Sequence, residues 1–357
     1  MKHKHPPAMR AVLNVSWEIT TDKSSVLSQF NEAIPYMTGL QSTIISTGCS
    51  DSTYDVYVRL KHEYDGTRPS CCPTDSCRFI VHFDWETLLA NPDAVSFVQR
   101  EVDAVWAFSS FQAKAYHSYG IHAEKVREIP VGIDCARLKS SVPLLDIRSK
   151  HGISVSTKLF GLILGEHAEQ TMRMVLQSFQ KPPESPYILI FFSRKLVPTI
   201  NLPSALNTRI IHDPDLSHYD IYRAVDVLLL PIGSELTVHH LEAILFNKDI
   251  VAYMNGIVSD YLPNECHLYR LVQGETQLFV VERTCSSLGL GEQCNTKSLR
   301  SMWQIPFGGL FNQAIRIASN STASELPRNH SILQDYICQH YDWRQIAKVM
   351  LTELKLS

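Results

Sequence analysis

The stretch LSHYDIYRAVDVLLLPIGSELTVHHLEAILFNKDIVAYMNGIVSDY, residues 216–261, decides the fold. It reads as a short helix, a strand, a polar loop, a helix and a further strand. Asp226–Pro231 is apolar without alternation through VLLLP, the pattern of a parallel strand covered on both faces. The loop Ile232–Val238 leaves the carboxyl end of that strand, where open α/β sheets place their ligands. Glu242 follows in the first turns of the next helix, near the positive end that tolerates a carboxylate.

The same alternation extends in both directions. Upstream, residues 9–17, 41–47, 54–60, 77–85, 102–110 and 126–134 read as strands, and 23–35, 92–101 and 111–119 as helices. The pattern restarts with strands at 159–165, 187–193, 208–213 and 249–254 and a helix at 171–179. The terminal HYDWRQIAKVMLTEL places Ile346, Val349, Met350 and Leu354 at helical spacing. Strands separated by helices predict an α/β fold with parallel, doubly wound sheets. The length of 357 residues fits two such domains. The predicted organisation is a Rossmann-like domain over 1–140, a linker over 141–158, a second Rossmann-like domain over 159–330 and a terminal helix over 331–357.

Composition excludes several classes of function. A formal charge of −3 gives no basic excess for nucleic acid, and no apolar run reaches the ~18 residues that a membrane span requires. The start, MKHKHPPAMR, lacks an apolar stretch and is not read as a secretory signal. Nine cysteines, an odd number, predict a reducing compartment and a cytoplasmic location. Cys71, Cys72 and Cys77 cluster in RPSCCPTDSC with no second Cys/His pair nearby, so a surface loop with free or adventitiously paired thiols is expected there. In that setting the sequons at Asn320 and Asn329 carry little meaning. His239 and His240 are neighbours on a helix and point apart, so no metal is expected. Trp85 and Trp106 are read as packing residues.

Several segments fall into one familiar order. They are Trp85–Glu86, Asp103–Val105–Trp106–Ser109–Phe111, Gly120–Ile121, Lys125–Val126, Ile129–Pro130–Gly132–Ile133–Asp134, the strand–loop–Glu242 unit, and Tyr341–Trp343–Ile346–Ala347. Together they resemble the group 1 (family 4) retaining glycosyltransferases. The resemblance implies the GT-B architecture, two Rossmann-like domains facing a cleft. The second domain would hold a UDP- or GDP-type nucleotide-sugar, and the first a carbohydrate, lipid-linked or protein acceptor. No cofactor and no metal are implied, and the oligomeric state is left open.

Residue by residue, Glu242 matches the carboxylate that binds the nucleotide ribose hydroxyls, with Ser234 and Glu235 at the sugar or phosphate. Gly165, Glu166 and His167 follow the second domain's first strand, where the family carries Gly-Arg. Glu166 replaces that Arg, Gln170 replaces the following Lys, and Ser234 replaces the first Glu of the donor motif. Arg194 and Lys195, at the end of YILIFFS, are candidate replacements for the missing phosphate cations. On the acceptor side, His82, Asp84 and Glu86 end a first-domain strand and are the candidate catalytic groups. His82 also reads as a core histidine, and Glu86 as a charge at a helix start. The departures leave a second class of function open, a catalytically silent GT-B domain that binds a glycan, a nucleotide or a partner enzyme. A different GT-B activity, epimerisation of a nucleotide-sugar or transfer to a nucleobase, is a third.

Overall fold

The computed structural model describes residues 13–19, 30–45, 54–60, 66–82, 92–140, 146–164, 168–179, 186–193, 206–231, 238–253, 260–261, 269–272, 274–280, 300–306, 314–315 and 327–355, with the single residues 183, 202 and 204.

A first sheet holds β1 (Leu13–Ile19), β2 (Leu40–Ile45), β3 (Val56–Leu60), β4 (Arg78–His82), β5 (Ala104–Ala107) and β6 (Val126–Glu128). Its helices are α1 (Pro92–Glu101), α2 (Ser110–Ser118) and α3 (Cys135–Ser140). The strands are parallel in the order β2-β1-β3-β4-β5-β6. The second domain runs α4 (Ile147–Lys150), β7 (Lys158–Ile163), α5 (Ala168–Ser178), β8 (Tyr187–Ser193), β9 (Thr208–His212), α6 (His218–Ala224), β10 (Val227–Leu230), α7 (His239–Leu245), β11 (Asp249–Tyr253) and β12 (Tyr269–Val272). Its sheet is also parallel, in the order β12-β11-β10-β7-β8-β9. An antiparallel hairpin, β13 (Gly274–Val280) with β14 (Arg300–Pro306), was not expected from the sequence. Two helices, α8 (Pro327–Tyr341) and α9 (Trp343–Lys355), close the chain.

The unbroken apolar run of β10 has a direct cause. Leu228 and Leu230 enter a core shared with the first domain, while Val227 and Leu229 enter a second core on the opposite face with Phe160, Phe179 and Phe191. Both faces are covered, so neither tolerates a polar residue. The shared core also takes Trp17, Val58, Trp106, Phe108 and Ile129 from the first domain. Trp106 is thus a packing residue, as the sequence predicts, and Trp85 lies outside the described residues.

Two elements differ from expectation. Residues 30–36 run as 3-10 turns in place of the end of an α-helix over 23–35. Pro35 supplies no N–H to an α-helical ladder, which favours the tighter turn. The cysteine cluster is not a loop of free surface thiols. Cys71, Cys72 and Cys77 are all buried, and Cys72 is bonded to Cys77 across a Cα–Cα distance of 4.8 Å. The Arg68 guanidinium holds this loop, donating to the carbonyls of Cys72, Cys77 and Glu101 and pairing with Asp103 at 3.2 Å.

At the carboxyl edge of the first sheet, Glu18 and Arg59 face each other in register and form a buried ion pair of 2.6 Å. Tyr57 donates to the same Glu18 oxygen at 2.9 Å. Burial first, and the Glu18 charge second, push the Tyr57 phenol well above its ordinary range. Arg59 also donates to the Thr67 carbonyl at 2.8 Å, so the pair is held by groups of its own domain.

The terminal helices join the two domains. α8 lies against α7, where Gln334 donates to the carbonyls of Ile244 and Leu245. α9 returns to the first domain, where Arg78 donates to the Glu353 carbonyl at 2.6 Å and Arg127 pairs with the Glu353 carboxylate at 3.3 Å. Its buried stripe is Trp343, Ile346, Ala347, Met350 and Leu354, each large side chain contributing ~1.5–3 kcal/mol of burial. Val349, expected in that stripe, is 39 % exposed because it falls about a third of a turn from the centre of the buried face. The crossing is fixed by Cys135–Cys338, by Ile133 N–H donating to the Tyr341 carbonyl and by Trp343 N–H donating to the Ile133 carbonyl.

At that crossing the Trp343 indole lies on the bare backbone of Gly132, and a Cβ at Gly132 would sit 2.5 Å from the ring. Gly132→Ala is therefore expected to cost ~1–3 kcal/mol through overpacking, lowering Tm by several degrees. Trp343→Leu in the same chain should relieve part of that loss. Calorimetry on the two single variants and the double variant checks the coupling. Strictly additive losses would show that the ring and the glycine do not meet.

Candidate functional site

The second sheet reverses direction between β7 and β10. β7 is followed outward by β8 and β9, and β10 by β11 and β12, so connections from the two central strands leave to opposite sides. Such a switch point opens a crevice at the carboxyl ends of its strands. The β7 end leads through residues 165–167 into α5, and the β10 end through 232–237 into α7. Gly165, Glu166, His167, Ser234 and Glu235 lie in these two intervening segments, outside the described residues. Arg194 and Lys195 follow β8, and Asp84 and Glu86 follow β4, also outside the described residues.

Glu242 is described, and it is buried. Its Oε2 accepts a hydrogen bond from the Tyr222 hydroxyl at 2.6 Å, and His239 Nδ1 stands 3.6 Å from the same oxygen. Tyr222 Oη is also 2.6 Å from His239 Nδ1. A phenol has one proton to give, so with that proton on Glu242 the His239 contact is Nδ1–H donating to the Tyr222 oxygen. His218 completes the group, its ring perpendicular to that of His239 with centroids 4.5 Å apart.

Local sequence explains the assembly. Ser217 caps α6 by accepting from Asp220 N–H, which sets the helix phase and places His218 and Tyr222 four residues apart on one face. His239 and Glu242 are three apart at the start of α7. The two helices flank β10 and present these pairs to each other. Neither His218 nor Tyr222 was singled out from the sequence, although their i,i+4 spacing was a usable signal. The link to Glu242 exists only in the fold.

The neighbouring His240 points the other way, as its position next to His239 predicts. It is fully buried, and neither ring nitrogen has a hydrogen-bond partner among the described residues. Burial, followed by the charge of His239, pushes its pKa down to about 3. Its ring meets Tyr261 edge-on at 5.6 Å. Tyr261 joins the domains, because its oxygen accepts from Val131 N–H at 2.7 Å and its proton goes to the Phe108 carbonyl. Beside it, Asp260 accepts from Phe111 N–H at 2.6 Å, in the first turn of α2. Neither Asp260 nor Tyr261 was a sequence candidate.

His82 lies on the first-domain side of this junction. Its ring stacks on Phe108 with centroids 3.7 Å apart, and Nδ1 donates to the Trp106 carbonyl at 3.0 Å, leaving Nε2 as the basic nitrogen. It is 1 % exposed, a geometry that matches the core-histidine reading and not a group open to an acceptor.

Among the described residues, no helix is long and apolar enough to cross a membrane. No family model matches the sequence, and no curated protein matches it. Solved structures do. HepE from Anabaena, in complex with UDP and glucose, is similar over 96 % of this chain and 99 % of its own, at 12 % identity and a TM-score of 0.64. A glycosyltransferase from Rickettsia africae aligns over 97 % and 100 % at 10 % identity and a TM-score of 0.66. Sucrose-phosphate synthase from Thermosynechococcus elongatus aligns over 96 % and 98 % at 10 % identity and a TM-score of 0.60. The architecture is GT-B, two Rossmann-like domains matched over nearly the whole length of these enzymes.

The depressed His240 pKa makes a stability statement. The folded state holds this ring neutral, whereas the unfolded chain protonates it near its ordinary value of 6.5. Below that value the unfolded state binds the extra proton, so stability is full above about 6.5 and falls as pH drops towards about 3. The slope from this one group is up to ~1.4 kcal/mol per pH unit. Urea midpoints for wild type and His240→Phe at neutral and mildly acidic pH measure it. The variant should show a flatter acid limb, and identical limbs would remove His240 as the cause.

Proposed function

We propose that this chain is a retaining glycosyltransferase that moves a sugar from a UDP- or GDP-type donor to an acceptor hydroxyl. The observation that carries this reading is the buried Glu242 carboxylate beside the switch-point crevice of a GT-B fold, held ready by Tyr222 and His239. A carboxylate there accepts from the two ribose hydroxyls of a nucleotide, exchanging the Tyr222 bond for two from the ligand. The structural neighbours support the donor class, since HepE is seen with UDP and with UDP-glucose.

In this reading Gly165 and His167 with the 232–237 loop line the diphosphate, and Arg194 and Lys195 supply the positive charge that Glu166 does not. Ser234 and Glu235 face the sugar. Asp84 and Glu86 stand on the acceptor side, with His82 supporting the edge from beneath. Transfer uses no cofactor and no metal, because the leaving diphosphate is stabilised by backbone N–H groups and side-chain cations. Closure of the two domains keeps water from the donor. The acceptor is a carbohydrate, lipid-linked or protein hydroxyl.

A silent binding domain is the second reading. It is favoured by the loss of Arg, Lys and Glu at the positions of Glu166, Gln170 and Ser234. Thermal unfolding with UDP-, GDP-, ADP- and TDP-sugars separates the two. A nucleotide at ~100 times its Kd stabilises by about 2.7 kcal/mol, a shift of several degrees. We expect a shift with one uridine or guanosine class, lost in Glu242→Ala, followed by donor consumption in an acceptor screen. Binding without consumption supports the silent domain, and no shift with any nucleotide sinks the transferase.

The cytoplasmic location expected from the cysteine count meets an opposing observation. Cys72–Cys77 and Cys135–Cys338 are disulfides, Cys71 is disulfide-bonded as well, and such bonds persist in oxidising compartments. We place the folded chain in an oxidising setting. Alkylation of the native protein under denaturing, non-reducing conditions should leave Cys72, Cys77, Cys135 and Cys338 unmodified in peptide mass spectra. Full alkylation of these four in protein isolated from its own cell would restore the cytoplasm.

A further inference from the structure

We infer that His218, His239 and Glu242 form a binding site for a zinc-class divalent cation, and that this ion and a nucleotide exclude each other. The three residues each offer a ligand atom, and these atoms lie within 4.8 Å of one another. His239 Nδ1 and Glu242 Oε2 are 3.6 Å apart. A tetrahedral zinc with bonds of ~2.0–2.1 Å separates its ligands by roughly 3.4 Å, so this pair is already at coordinating distance. His218 has to close by up to ~1.4 Å, the difference between 4.8 Å and the tetrahedral separation, within reach of a side-chain rotation.

The donor set selects the ion. Two imidazoles and one carboxylate suit zinc and its first-row neighbours, whereas calcium and magnesium require oxygen ligands in larger number. The Tyr222 hydroxyl stands 2.6 Å from both His239 Nδ1 and Glu242 Oε2, and so offers a fourth donor. The site is partly enclosed, with side chains of His239 and Glu242 only 22 % and 9 % exposed, which limits competition from water. The ligands come from the starts of two helices fixed on either side of one strand, so little chain is ordered when the ion binds.

Neither the fold nor the proposed transfer calls for this ion, and it takes no part in the chemistry. It occupies the carboxylate that the proposed donor site uses. An ion on Glu242 Oε2 takes the oxygen that Tyr222 now holds and leaves only Oε1 to accept from ribose hydroxyls, so ion and nucleotide compete.

The test uses the full chain, stripped with chelator and free of nucleotide, so its outcome does not depend on whether a donor binds. Zinc is titrated by calorimetry, and cobalt is used as a visible probe of four-coordinate geometry. We expect one high-affinity site per chain, weakened by at least ~10-fold in His218→Ala and in His239→Ala, with both variants retaining wild-type circular dichroism. Intense cobalt bands should appear in wild type and fade in both variants. Equal binding by wild type and both variants would place the ion elsewhere, for example at His3 and His5, and overturn the site. Absence of binding at ~100 µM zinc, an affinity too weak to hold an ion, would overturn it as well.

Discussion

The contact between the Trp343 indole and the bare backbone of Gly132 holds the two domains in one arrangement. Gly132–Ile133 lie between β6 and α3, and the last helix begins at Trp343. Backbone hydrogen bonds of Ile133 with Tyr341 and Trp343 lock that meeting point, and Cys135–Cys338 makes it covalent. α9 buries its stripe on the first domain, α8 lies on α7, and the shared core fills the space between the sheets.

The same region transmits polar order. Tyr261 satisfies Val131 N–H and the Phe108 carbonyl at once, and Asp260 fills an open donor at the start of α2. Phe108 in turn stacks on His82, while Tyr261 touches His240. Two buried histidines, one from each domain, are thus joined through two aromatic rings. The Val131 N–H and the Phe108 carbonyl are buried, so the Tyr261 contacts with them each remove a desolvation cost of ~1–3 kcal/mol. The junction is built of fixed partners, and relative motion of the domains must break them together.

Much of the fold was legible because burial leaves a one-dimensional trace. VLLLP announced a strand covered on both faces, and the alternation of such runs with helical segments announced two parallel sheets. Hairpin β13–β14 left no such trace in the reading. The phase of α9 was nearly right, yet Val349 was taken for a buried residue where Trp343 and Ala347 complete the stripe. The cysteines misled for a physical reason. Pairing depends on Cα separation in the folded chain, and Cys135 and Cys338 are 203 residues apart in sequence but 5.8 Å apart in space. Glu242 was found through its place after the strand. Tyr222 and His218 were missed because their meaning depends on α6 lying beside α7.

The Tyr222–Glu242–His239 group explains how a divergent donor motif can retain a carboxylate at this position. A buried carboxylate without partners costs several kcal/mol, and the fold offsets that cost internally with the Tyr222 phenol proton, while the His239 N–H donates in turn to the phenol oxygen. The site is therefore satisfied before any ligand arrives. In the proposed reading a ribose at Glu242 replaces the Tyr222 hydrogen bond by two of its own, so the carboxylate gains a partner on binding. In that reading Glu242 acts as a discriminator. It rejects ligands that cannot return the hydrogen bond they displace, since those would leave the carboxylate buried and unpaired.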